Sequence, residues 1–192
     1  MKAKVVKISH GVPKGTNIPM KQDSGNVGNY IEGCLEDNGY PMNKGKGVDI
    51  PDLNLEVKTR KIESKSAHTI GTESIENIKS LGYSETVVYK KFQQQYRVTY
   101  SDTDSVVVDS KVVDFSDPLI QKEIKEGYDL IRSEILRGNR GTYITGNTCI
   151  CAEITKSGRS YRFRVPNGSM KKLLKIASTF GNRNKLFDQE DA

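Results

Sequence analysis

The sequence predicts an α/β or α+β fold in which a central mixed β-sheet is flanked by helices. Three observations favour this class. The chain has 192 residues, enough for one domain with its own core. Stretches with helical periodicity are separated by stretches in which apolar and polar residues alternate, as in strands. No internal repeat, low-complexity tract or linker divides the chain, so residues 1–192 are expected to form a single domain.

The first third of the chain predicts a strand, a helix and a second strand. Residues Val5–Ile8 are a short strand candidate. A helix is expected from Ser24 to about Gly39, because glycine commonly ends helices. Apolar side chains recur in it at every fourth position, at Val27, Ile31 and Leu35. Residues Leu53–Lys58 alternate strictly and therefore predict a strand.

The middle of the chain predicts a short helix followed by antiparallel strands. The helix is expected from Ser74 to Leu81, before Gly82. The strands are expected at Thr86–Phe92, Tyr96–Ser101 and Ser105–Asp109.

The last third predicts a long helix, a hairpin and a basic helix. Pro118 begins the long helix, which reaches about Leu136. Its apolar face is expected to contain Leu119, Ile120, Ile124, Tyr128, Ile131 and Ile135. A hairpin pairs Thr148–Thr155 with Tyr161–Val165, and an amphipathic helix covers Ser169–Phe180.

The composition excludes several classes of protein. No stretch reaches the roughly 18 to 20 apolar residues that a membrane helix needs. The N-terminal segment carries lysines and lacks the uninterrupted apolar region of a secretory signal. Three cysteines are an odd number, which favours neither a disulfide framework nor a cysteine-based zinc site. We therefore expect an intracellular protein with no membrane partner.

The charge distribution favours a polyanionic partner. The net charge is +6, and both ends of the chain are basic. Between Met1 and Gln22 there are five lysines and no acidic residue, and between Lys156 and Phe187 there are nine basic residues and no acidic residue. Basic ends around a more acidic centre are expected when a phosphate-facing surface surrounds a carboxylate site. An ordinary solvated surface is the alternative interpretation.

The segment that indicates chemistry runs from Gly47 to Lys58. Glu56 and Lys58 are two positions apart on a predicted strand, so their side chains project from the same face. Asp49 lies seven residues before Glu56, beyond the break at Pro51, where the chain can turn its carboxylate toward Glu56. Two carboxylates form a site for a hard cation such as Mg²⁺, with the ammonium beside them. Acid and lysine pairs of this kind also occur on ordinary exposed strands.

The same segment resembles the PD-(D/E)xK superfamily of nucleases. The residues DIPDLNLEVKT, at positions 49–59, match the order in MutH and related Type II restriction endonucleases, namely Asp, Pro, Leu and then Glu-x-Lys-Thr. Upstream, Gly25–Glu32 is similar to the glycine-containing helix that presents a glutamate to the same site. The resemblance implies a restriction-endonuclease-like core, Mg²⁺-dependent hydrolysis of double-stranded DNA and a bacterial cytoplasmic location.

The resemblance also assigns roles to individual residues. It implies metal ligands at Asp49 and Glu56, a catalytic lysine at Lys58, and an accessory carboxylate ligand at Glu32. Asp52 follows Pro51 directly and is an alternative to Asp49 as the ligand. Asp49 is favoured, because a ligand four positions before Glu56 would lie on the same strand and would reach the metal only across a bulge.

His68 is a further candidate catalytic residue. It is similar to a histidine that some Type IIS and MutH-like enzymes place near the scissile phosphate. A neutral imidazole orients an attacking water, and an imidazolium stabilises the charge of a phosphate. A loop histidine bonded to the backbone is the alternative. The basic residues Arg60, Lys61 and Lys65 are candidates to line the path of the DNA.

Three interpretations of the whole chain follow. In the first, it is the small catalytic subunit of a heterodimeric Type IIS restriction endonuclease, and a larger partner subunit recognises the sequence and nicks the other strand. In the second, it is a homodimeric restriction enzyme or a MutH-like nicking enzyme that reads its own site, with Gln93–Gln95 and Arg159–Arg164 as candidate base readers. In the third, it is a basic nucleic-acid-binding module whose carboxylates are structural. The first is favoured, because a cleavage core leaves little of the chain for recognition.

Overall fold

The computed structural model describes residues 8–19, 24–45, 47–139, 141, 143–145 and 148–190. Of the predicted strand Val5–Ile8, residues 5–7 lie outside this part. The chain divides into two compact units, the first Met1–Lys65 with Gln94–Val113 and the second Ser66–Gln93 with Asp114–Ala192. Compact units can belong to one folding domain, so the assignment of residues 1–192 to a single domain stays a prediction.

The described part of the chain contains five α-helices and seven strands, which confirms the mixed α and β class. In chain order they are α1 (Ser24–Asp37), β1 (Glu56–Lys61), β2 (His68–Ser74), α2 (Ile75–Ser80), α3 (Val87–Lys91), β3 (Gln94–Ser101), β4 (Val106–Asp114), α4 (Pro118–Leu136), β5 (Tyr143–Thr145), β6 (Cys151–Ile154), β7 (Ser160–Val165) and α5 (Asn167–Glu190). None of the described helices is both long and apolar enough to cross a bilayer.

The strands form two small sheets in place of the predicted single central sheet. The first unit holds a three-stranded sheet in the order β1-β3-β4. Strands β1 and β3 are parallel, whereas the short connection from β3 to β4 requires an antiparallel pair. The sheet is therefore mixed. The second unit holds a four-stranded sheet in the order β2-β7-β6-β5, and its three pairs are antiparallel.

The core of the first unit lies on one face of its sheet, between the sheet and α1. Side chains along β1 and β3 point alternately to the two faces of the sheet, so one set enters the core and the other set faces away from it. The core contains Val12, Ile18, Val27, Ile31, Leu35, Ile50, Leu55, Val57, Tyr96, Val98, Tyr100 and Val107. Helix α1 ends as predicted, because Gly39 takes a φ of +89° and its N–H donates to Glu36 O at 2.9 Å.

The second unit confirms the predicted long helix and one hairpin. Helix α4 has the predicted bounds and buries five of the six expected apolar residues, namely Ile120, Ile124, Tyr128, Ile131 and Ile135. Leu119 is 66% exposed, because it lies about 100° around the helix from Ile120 and outside the buried stripe. Strands β6 and β7 pair in the predicted hairpin, and α5 contains the predicted basic helix.

The predicted strand Thr86–Phe92 is wrong, because this segment forms α3. The β-branched residues here favour a strand by propensity, but helix capping decides the outcome. Thr86 Oγ1 accepts a hydrogen bond from Tyr89 N at 3.2 Å. The buried carboxylate of Glu73 accepts one from Val87 N at 2.7 Å. Both bonds satisfy backbone donors at the helix N-terminus that would otherwise lack partners.

Candidate active site

A tight hairpin places Asp49 opposite Glu56. Ile50 and Leu55 form the antiparallel bridge of this hairpin, with N–H to O distances of 2.9 and 3.1 Å. Pro51–Leu53 make one turn of 3₁₀-helix, and Asn54 closes it with a φ of +47°. Ile50 and Leu55 point into the core. The next pair outward, Asp49 and Glu56, therefore shares the opposite face.

The carboxylate of Asp49 is held against β1. Its Oδ2 accepts a hydrogen bond from Val57 N at 2.8 Å, and its backbone carbonyl accepts one from Asn43 N at 2.7 Å. The side chain is half-buried. Because a backbone donor holds one carboxylate oxygen next to the strand, the orientation of Asp49 is set by the hairpin itself.

Glu56 and Lys58 form an ion pair on the same face of β1. Lys58 Nζ donates to Glu56 Oε1 at 2.5 Å. The Glu56 side chain is 1% exposed, and the Lys58 side chain is 24% exposed. Val57, between them, points the other way into the core. A buried carboxylate with a partly buried ammonium is a preorganised electrostatic site, since little water competes for either charge.

Strand β3 adds two polar residues that sequence reasoning missed. In the parallel register, Gln95 lies beside Glu56 and Arg97 lies beside Lys58. Arg97 Nη1 donates to Gln95 Oε1 at 2.8 Å. Of the candidate base readers Gln93–Gln95, Gln94 and Gln95 begin β3 and are buried. The alternation of polar Gln95, Arg97 and Thr99 with apolar neighbours was the signal in the sequence.

These residues make up what we call the polar face of the first sheet. It consists of Glu56, Lys58, Arg60, Gln95, Arg97 and Thr99. Burial, with a smaller contribution from the nearby cation of Arg60, lowers the pKa of Arg97 to about 10. Burial also lowers the pKa of Arg60, whose Nη2 donates to Ser64 O at 2.8 Å. Arg97 stays charged at neutral pH, so the face is rich in cations.

Asp52, the alternative ligand, lies at the tip of the hairpin. It is exposed in the 3₁₀ turn Pro51–Leu53. The expectation that it shares a strand with Glu56 is wrong, because the chain turns between the two residues. Asp49 instead occupies the position across from Glu56.

Glu32 lies on α1, in the helix turn that follows Gly28. It is half-buried, and its neighbours Ile31 and Leu35 enter the core. A Cβ on Gly28 would lie 3.7 Å from Thr59 Oγ1, so this side of α1 passes next to β1. Within the described residues, no three His, Cys, Asp or Glu side chains gather into a group that could hold a metal ion. The role of Glu32 as an accessory ligand stays a prediction.

His68 belongs to the second unit. It is half-buried at the first position of β2 and pairs with Val165 of β7. It therefore lies at a strand end, and its catalytic role stays a prediction.

If His68 orients the attacking water, His68→Ala should lower the rate of the chemical step by about 10²- to 10⁴-fold. Affinities for metal and DNA should change little. The measurement is single-turnover cleavage with metal and DNA at saturation. His10→Ala is the matched control, because His10 is the other histidine of the chain and is exposed. Equal rates for wild type and His68→Ala would assign His68 a structural role.

Compared with models of known protein families and with curated proteins, the chain matches none of them. Any assignment of function therefore depends on the chemistry of the site itself.

Proposed function

We propose that this chain is a Mg²⁺-dependent deoxyribonuclease of the PD-(D/E)xK type that hydrolyses one phosphodiester of double-stranded DNA. The observation that carries the proposal is the hairpin that sets Asp49 opposite Glu56, with Lys58 bonded to Glu56 on the same face. A carboxylate pair next to a lysine is a minimal set for binding a hard cation and a phosphate together.

The donor chemistry fits magnesium. Mg²⁺ commonly uses one or two carboxylates and completes its shell with waters and substrate phosphates. Asp49 and Glu56 would supply these carboxylates, and Glu32 is the candidate accessory ligand. When bound, Mg²⁺ would neutralise charge on the phosphate and increase the acidity of a water.

The protein residues then have distinct tasks. The backbone N–H of Val57 holds one oxygen of Asp49 against β1, so the carboxylate is oriented before any ligand arrives. Glu56 pairs with Lys58 at 2.5 Å. Glu56 would hold the cation, and its ion pair keeps the ammonium of Lys58 on the same face, beside the position of a bound phosphate. There Lys58 orients the attacking water or stabilises the charge that develops on the phosphate oxygens.

The order of elements in the first unit supports a restriction-endonuclease-like core. Helix α1 comes first, the hairpin with Asp49 follows, and β1 carries Glu56 and Lys58. The chain then returns in β3, parallel to β1. Such an arrangement places both carboxylates at the start of one strand, beside a second strand that runs in the same direction.

Metal dependence is the first test. Relaxation of supercoiled plasmid DNA should require Mg²⁺ or Mn²⁺ and stop in EDTA, because the carboxylate pair is inert toward a phosphodiester without a cation. Ca²⁺ should bind without supporting cleavage. The Asp49→Asn, Glu56→Gln double variant is the control for a contaminating nuclease. Full activity in EDTA, or in the double variant, would contradict the two-carboxylate mechanism.

We further propose that the chain is the small catalytic subunit of a heterodimeric Type IIS restriction endonuclease. One Asp49–Glu56 pair acts on one phosphodiester at a time, so a double-strand break needs a second site. Gln94 and Gln95 are buried, so two of the candidate base readers do not face solvent. A third candidate, Arg164, is engaged in an ion pair with Glu153 at 3.0 Å. A larger subunit would then read the sequence. The alternative is a homodimer, which would cut a specific site without any partner.

A further inference from the structure

We propose that Arg97, positioned by Gln95, binds a phosphate of the DNA strand held at the candidate active site. The inference rests on the proposed function and extends the site from β1 to β3. It assigns Arg97 as a substrate-binding residue and Gln95 as a positioning residue that acts through Arg97.

The parallel register of β1 and β3 places Arg97 next to Lys58. Glu56 and Gln95 are neighbours, and so are Lys58 and Arg97. Neighbouring strands lie about 4.8 Å apart, and side chains at paired positions project from the same face. The guanidinium of Arg97 therefore emerges one strand away from the ammonium of Lys58. A phosphate held by Lys58 lies within reach of an arginine side chain at this position.

Gln95 gives Arg97 a defined orientation. Its Oε1 accepts a hydrogen bond from Arg97 Nη1 at 2.8 Å, and Gln95 is 1% exposed. A buried amide holds the planar guanidinium in one rotation, which reduces the entropy lost when its N–H donors bind an anion. The planar fork matches two oxygens of a phosphate, a geometry that a lysine at the same position would lack.

The charges on the polar face indicate an anionic ligand. Burial, and to a smaller extent the like charge of Arg60, lowers the pKa of Arg97. An anionic ligand nearby would offset the repulsion between these two positive charges. Lys58, Arg60 and Arg97 carry three positive charges, against two negative charges on Asp49 and Glu56. With a divalent cation on the two carboxylates, these residues would together carry a net positive charge, which favours binding to phosphates of the DNA backbone.

The inference is tested by the salt dependence of DNA binding. A fluorescent DNA duplex of generic sequence is titrated in Ca²⁺, which prevents cleavage, at several salt concentrations. Arg97→Met should lower the slope of log affinity against log salt by about 0.9, the value for one phosphate contact. It should also lower the affinity at low salt about tenfold or more. Arg97→Lys should restore the slope.

Catalytic measurements separate binding from positioning. The substrate is the p-nitrophenyl ester of thymidine 5′-phosphate with Mn²⁺, a phosphodiester that needs no sequence recognition. Arg97→Lys and Gln95→Leu should both raise KM more than they lower kcat, because each loses the oriented fork and keeps a positive charge. The affinity for Mn²⁺, measured by calorimetry, should equal that of the wild type in both. Arg137→Met is the control, since Arg137 is an exposed arginine at the end of α4 and belongs to none of the candidate sites.

The outcomes distinguish this inference from the proposed function. If Mn²⁺ binding needs Asp49 and Glu56 while Arg97→Met keeps the wild-type slope and KM, the nuclease proposal stands and the role of Arg97 is wrong. A wild-type chain that neither binds Mn²⁺ nor hydrolyses a phosphodiester overturns both. If thermal unfolding shows that Arg97→Met is not folded, Arg97→Lys is used as the test instead. An unchanged KM in Arg97→Lys refutes the inference.

Discussion

Asp49→Asn should lower the rate of DNA cleavage by about 10³-fold or more, whereas Asp52→Asn should leave the rate unchanged. Asp49 lies opposite Glu56 and its carboxylate is held beside β1. An amide at this position lacks the negative charge that binds a divalent cation. A rate loss of this size corresponds to several kcal/mol of lost electrostatic stabilisation of the transition state. Asp52 is exposed at the hairpin tip. The measurement is the initial rate of plasmid nicking in Mg²⁺ or Mn²⁺.

The two variants control each other, because both make the same chemical change within one hairpin. In Asp49→Asn the new amide oxygen can still accept the hydrogen bond from Val57 N, so this variant should keep the thermal stability of the wild type. Calorimetry should find weaker Mn²⁺ binding in Asp49→Asn alone. Loss of activity in Asp52→Asn with full activity in Asp49→Asn would mean that the motif is aligned wrongly by three residues.

In the complex with a larger sequence-reading subunit, Glu56→Ala should convert double-strand cleavage into nicking. The partner subunit would still cut its own strand, while this chain would lack one of its two carboxylates. The isolated wild-type chain should cleave DNA weakly and without sequence specificity. Gel separation of supercoiled, nicked and linear plasmid measures all of these outcomes in a single assay.

Two controls accompany the complex. Removing Glu56 leaves the Lys58 ammonium partly buried without its partner, and loss of one member of a buried pair costs about 3–5 kcal/mol when burial is complete. Glu56→Gln keeps the shape of the side chain and a hydrogen-bond acceptor, so it separates unfolding from lost chemistry. Glu63→Ala, at an exposed carboxylate of the same unit, should still give linear product. Efficient, site-specific double-strand cleavage by this chain alone would instead establish the homodimer.

Local patterns predicted α1, α2, α4 and α5, but neither α3 nor the parallel pairing of β1 with β3. The bounds of α4 follow from the Pro118 start and the apolar period. Helix α1 follows from a similar period and from Gly39. The segment Thr86–Phe92 misled the prediction, because the side chain that caps α3 from outside, Glu73, is fourteen residues before Val87.

Sequence alone determined the mixed α and β class and the chemical types of the candidate site residues. It also placed Glu56 and Lys58 on one face of a strand, because the period of a strand is a local property. Tertiary structure decided that the strands form two sheets and that Gln95 and Arg97 lie beside Glu56 and Lys58. Parallel pairing joins segments that are far apart in the sequence through backbone hydrogen bonds, which every residue can accept and every residue except proline can donate. The side-chain pattern of β1 therefore contains no information about which strand becomes its neighbour.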